Sequence, residues 1–81
     1  MFREIAIREE TIRLGQLLKL AGIVDSGSEV KGLLSELPAQ VNGERETRRG
    51  RQLHRGDLVQ IGEHELLVAG AQQTPPSGSG G

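Results

Sequence analysis

Five arginines stand within eleven positions: Arg45, Arg48, Arg49, Arg51 and Arg55. They make up half of the ten Lys and Arg residues of the 81-residue chain. An arginine fork can grip two phosphate oxygens at once, so a basic segment of this kind is first a phosphate binder. Its frame strengthens that reading. Val41-Asn42-Gly43 precedes it and Gly56-Asp57-Leu58-Val59 follows it, which holds the segment between two strand-and-turn signals. A solvated charge run is the plainer reading of such a stretch, and the flanking turns argue against it. The formal net charge is −1, so attraction to nucleic acid must come from segregated charge rather than from a basic whole.

Other chemistry is poorly provided for. The chain contains no cysteine, which excludes disulfides and thiolate metal sites. His54 and His64 have no metal-ligand spacing and read as loop residues. The serines cluster only in helix caps and in the C-terminal tail, and no nucleophile, base and orienting group can be assembled. Asp25 and Glu29 are neighbours, but capping explains Glu29 better than acid–base work. A non-catalytic protein without a cofactor or small-molecule substrate is expected. Phe2 is the only aromatic residue. Recognition of single strands by stacking on aromatic rings is therefore not open to it, and a folded RNA read by shape and backbone is the expected target. No apolar run approaches the roughly 20 residues of a membrane span. Met1-Phe2-Arg3-Glu4 does not begin a signal peptide, and a cytoplasmic location is expected.

The elements that must position these arginines read as follows. Phe2 to Arg8 alternates as a strand, and Glu9 to Thr11 is a polar connector. Leu14, Leu17, Leu18 and Ala21 share one face of a first helix, Leu14–Ala21. Lys19 suits the helix end, where its charge favours the dipole, and Gly22 suits the left-handed position after it. Ser26-Gly27-Ser28-Glu29 has the form of a capping box at the start of a second helix, Gly27–Glu36. Val30, Leu33 and Leu34 form its apolar stripe, and Pro38 ends it. Ala39 to Val41 is a strand, Asn42-Gly43 a two-residue hairpin turn, and Glu44 to Thr47 the returning strand. Leu58 to Ile61 and Glu65 to Ala69 are the last strands. The expected fold is α+β, with two packed helices against a small, mainly antiparallel sheet. Residues 1–71 form one domain. Residues 72–81 form a flexible Pro/Gly/Ser tail, and removing Thr74 to Gly81 is expected to leave thermal stability unchanged.

This order resembles the RNA-binding domain named for ribosomal small-subunit protein S-four, with its two-helix alpha-L motif. Arg13-Leu14, Leu17-Leu18, Ala21-Gly22, Ser26, Val30-Lys31, Leu34, Val41-Asn42-Gly43 and Gly56-Asp57 carry the resemblance. Leu14 to Gly22 and Glu46-Thr47-Arg48-Arg49-Gly50-Arg51 are similar to stretches of its short, stand-alone bacterial, ribosome-associated members. The resemblance implies a groove that grips structured RNA, often ribosomal RNA or a ribosomal subunit. It implies contacts from Arg13, Ser26, Lys31 and Asn42, bordered by the basic loop with Arg45, Arg48, Arg49 and Arg51. Arg3 and Arg8 are expected to lie away from the groove. Departures are Gly27 where many members carry Arg, Gly15 where Asp is frequent, Gln40 where Lys is frequent, and Leu37 in place of Gly. They remove two cations from the surface the family uses and shift weight toward the arginine loop. The alternative is a protein-interaction adaptor on the same fold, docking through the Leu58–Ala69 strands or the acidic N-terminal region.

Overall fold

The computed structural model describes residues 1–70; the tail expected from residue 72 lies outside them. Seven strands and two helices are formed among the described residues, in the order β1 (Phe2–Ile7), β2 (Thr11–Arg13), α1 (Leu14–Leu20), α2 (Gly27–Glu36), β3 (Ala39–Val41), β4 (Glu44–Glu46), β5 (Gln52–His54), β6 (Leu58–Ile61) and β7 (His64–Gly70). The α+β class and the helix pair agree with the sequence reading.

The main sheet has five strands in the order β1-β7-β6-β3-β4. β3, β4, β6 and β7 pair antiparallel with their neighbours. β1 instead pairs in parallel with β7, from Phe2 opposite Glu65 to Ile7 opposite Gly70. The sheet is therefore mixed rather than mainly antiparallel, and this longest ladder joins the two ends of the described chain. Period-2 alternation marks a strand and its buried face but carries no information on the direction of its partner.

Alternation does fix which residues face the helices. Ile5, Ile7, Ala39, Val41, Val59, Ile61, Leu66 and Val68 are buried on that side. They meet Leu14, Leu17 and Leu18 of α1 and Val30 and Leu34 of α2 in one core. Arg3 also lies on this face and donates to the Ala21 carbonyl at 2.6 Å, tying β1 to the end of α1. It is a strut, not an idle surface cation.

The helix ends follow local chemistry. α1 stops at Ala21, where Gly22 takes φ 77° and its amide bonds back to the Lys19 carbonyl. α2 stops at Leu37, which leaves the helical region at φ −139° and ψ 84°, in keeping with the bias against helix before Pro38. The start of α2 departs from the expected capping box. The Glu29 amide goes to the Ser26 carbonyl, and the Ser26 hydroxyl turns to that of Ser28 at 3.1 Å. The Glu29 carboxylate accepts from the Asp25 amide at 2.8 Å, one residue before the expected donor.

A second sheet was not apparent from the sequence. β2 and β5 form a two-stranded antiparallel ribbon, with Ile12 opposite Leu53. Thr11 thus begins a strand instead of closing a connector. Gln52–His54, within the arginine segment, is consequently strand and not loop. Leu53 is fully buried and anchors the ribbon in the core.

Candidate nucleic-acid interface

The arginine segment is built around one acid. Glu46 ends β4 on its inward face and is 5% exposed. Its carboxylate accepts from the Arg48 backbone amide at 2.9 Å, from Arg48 Nε at 3.1 Å and from Arg51 Nη1 at 2.9 Å. These bonds hold Arg48 and Arg51 in place, and the chain turns between them at Arg49-Gly50, where the Arg51 amide donates to the Arg48 carbonyl at 3.2 Å. The Arg48 side-chain bond is the main cause that lowers the Glu46 carboxyl from an ordinary 4.5 to about 2, helped by the Arg48 amide and by Arg51 and opposed by burial. Because the folded value lies below the unfolded one, the fold favours the ionised form. That stabilisation is complete above about pH 4.5 and is lost as pH falls toward 2. Glu46→Gln is expected to cost about 1–2 kcal/mol at neutral pH, since Arg48 is well solvated. Thermal melts of the two proteins should differ near pH 7 and converge as the pH approaches 2; a constant gap over that range would contradict the role given to the carboxylate.

The backbone after Arg48 caps α1. The Leu14 amide donates to the Arg51 carbonyl and the Gly15 amide to the Arg49 carbonyl, both at 2.9 Å. The first amides of α1 are thereby satisfied, and the loop is fixed across the helix start. Arg49 comes to lie over Gly15, where an added Cβ would meet Arg49 Cβ and Val30 Cγ1 at 3.5 Å. Its guanidinium reaches α2 and donates to the Gly27 carbonyl at 3.2 Å.

A groove of about 290 Å³ results, lined by Arg13, Gly15, Gln16, Lys19, Gly27 and Arg49 among others. Three cations from three elements converge on it. Arg13 is the residue before α1, Lys19 stands one turn after Gly15 on the same flank, and Arg49 comes from the loop. Gly27, free of neighbours around its Cβ position, keeps the far wall low. Lys31 follows Gly27 by four residues and stands one turn along the same flank of α2. Ser26 precedes Gly27 in the chain but does not line the groove.

Other expected contacts are placed elsewhere. Arg45 is the cross-strand partner of Gln40, itself opposite Gln60. This row lies on the sheet face away from the helices, so Arg45 does not share the groove. Arg48 and Arg51 are engaged with Glu46, although the Arg48 side chain remains 76% exposed. Arg55 donates to the Ile7 and Arg8 carbonyls and closes the end of β1. Asn42 takes φ 52° and Gly43 φ 88° in the hairpin turn. The Asn42 side chain donates to Asp57 at 3.1 Å and accepts from the Leu58 amide at 2.9 Å. It locks the hairpin to the Gly56-Asp57 turn. Lys19 lines the groove besides suiting the helix end; its spacing of four from Gly15 is the sequence signal for that.

Residues 5–69 match the family model of the S4 domain, and the chain belongs to that family. A curated relative is 49% identical over 61 residues, spanning 75% of this chain and 86% of its own length. It is the "Probable ribosome maturation protein RlbA" of Bacillus subtilis (strain 168). The family resemblance carried by the helix pair, Asn42-Gly43 and Gly56-Asp57 is thus the family to which the chain belongs. Among the described residues, no helix is long and apolar enough to cross a membrane.

Proposed function

We propose that this protein is a non-catalytic RNA-binding module that grips structured ribosomal RNA through the groove between α1, α2 and the arginine loop, and that it serves in ribosome maturation. The observation that carries this reading is the convergence of Arg13, Lys19 and Arg49 on one groove in a chain whose net charge is −1. A flat distribution of ten cations among eleven acids would give no such site. Lys31 and the α2 start extend the groove, since the first amides of a helix have no intrahelical acceptor and favour phosphate. Arg48 stands beside it, pinned but solvated, as a positioned second rank. The rigid loop lowers the cost of ordering side chains on binding. The name of the Bacillus subtilis relative supports a role on the ribosome.

The protein-interaction adaptor is the second reading. It draws on the sheet face not covered by helices, where Leu58 and Leu67 are only half-buried. Co-purification with and without nuclease separates the two. An RNA binder is expected to lose its ribosomal partners when RNA is digested; retention of the same partners after digestion would favour the adaptor.

A further inference from the structure

Beside the groove lies a larger cleft, about 610 Å³, between the end of β1, β2 and the outer side of α1. Its size falls within the roughly 300–1,000 Å³ of small-ligand sites. Ala6, Ile12 and Leu20 give it apolar walls, and Leu20 is 58% exposed there. A leucine left in water on the wall of a concave site is a surface that a flat apolar ligand can cover. Arg8 and Lys19 stand at the rim with one acid, Glu9. Gln16 and Lys19 line both the cleft and the groove, so a ligand chain can pass from one to the other over a single ridge.

We infer that this cleft receives one unpaired nucleobase of the RNA whose backbone lies in the groove. The inference rests on the reading of the groove as a phosphate site. The rim explains the choice of occupant. Two cations suit the flanking phosphates, and the Arg8 guanidinium supplies a plane on which a base can stack in a chain almost without aromatic residues. A carboxylate repels phosphate but accepts from an exocyclic amine. Glu9 therefore favours a base with an exocyclic amine (cytosine, adenine or guanine) over uracil.

The test is an amide chemical-shift titration of the full chain with ribose 5-phosphate, cytidine, cytidine 5′-monophosphate and uridine 5′-monophosphate. Ribose 5-phosphate is expected to move amides around Arg13, Gly15 and Arg49 only. Cytidine is expected to move those around Ala6, Arg8 and Leu20, and cytidine 5′-monophosphate both sets. The uridine nucleotide should act on the cleft roughly fivefold more weakly, and Glu9→Gln should remove that preference. Leu20→Asp changes an exposed residue and should abolish the cleft response while leaving the groove response intact. If ribose 5-phosphate leaves the groove amides unmoved, the groove reading fails, and cytidine still tests the cleft. Absence of cleft shifts with cytidine, or equal shifts with N-acetyl-leucine amide, would overturn the assignment.

Discussion

Changing Arg13 and Arg49 together to Ala is expected to weaken binding to ribosomal RNA roughly 10- to 100-fold at moderate salt, from the loss of two charge-assisted contacts. The slope of log affinity against log salt should become shallower by about one to two units, because two fewer phosphates are neutralised. Both side chains end at the surface, and their known tie within the fold is one bond from Arg49 to the Gly27 carbonyl. Thermal stability should therefore move little. Arg45→Ala provides the comparison with Arg49→Ala, since it removes the same charge from the opposite face of the sheet. A localised site predicts a clear loss for Arg49 and a small one for Arg45. Equal losses would mean that bulk charge, not the groove, attracts the RNA. Arg3 would be a misleading control, because its bond to Ala21 mixes a charge effect with a packing effect.

Leu53→Ala is expected to cause the largest loss of stability within the arginine segment. Leu53 is fully buried, and truncating such a leucine costs about 2–5 kcal/mol. A domain of this size has roughly 4–10 kcal/mol in total, so the melting temperature should fall by about 10 °C or more. Without Trp or Tyr, the chain is best followed by far-ultraviolet circular dichroism or calorimetry. The ribbon that Leu53 anchors also holds the carbonyls of Arg49 and Arg51 against the start of α1. RNA affinity should therefore fall in the same variant at temperatures where it remains folded. Leu20→Ala, at an exposed position of α1, should shift stability by no more than about 0.5 kcal/mol. A Leu53 variant that melts within a degree of the parent would show that the β2–β5 ribbon is dispensable.

Much of this architecture is written locally. Leu14, Leu17, Leu18 and Ala21 declare a helix by spacing. Asn42-Gly43 declares a turn because both residues must take positive φ. Leu58 to Ile61 stands as a strand with the bounds read from its pattern. The ribbon was not legible, since β2 and β5 have three residues each, sit among charges, and meet only across a long stretch of chain. The parallel partner of β1 was hidden for a related reason: alternation names a face, not a neighbour. The basic loop was legible as charge but not as geometry. Counting five arginines treats them as equals, whereas Glu46 binds two, Arg55 closes a strand end, and Arg45 faces away. The position of Glu46, two and five residues before Arg48 and Arg51, was the signal that an acid could organise the loop. Its inward direction depended on the register of β4 against β3, which only the folded sheet supplies.

A small set of clustered cations in a slightly acidic chain is expected to neutralise the RNA phosphates. The most direct measurement is the affinity of the unaltered protein for ribosomal RNA across a salt series. With Arg13, Lys19, Lys31 and Arg49 each neutralising a phosphate, the slope of log affinity against log salt should be about −3, and affinity should fall by about two decades between roughly 50 and 200 mM salt. A slope near zero, with binding retained, would mean that phosphate neutralisation does not hold the RNA.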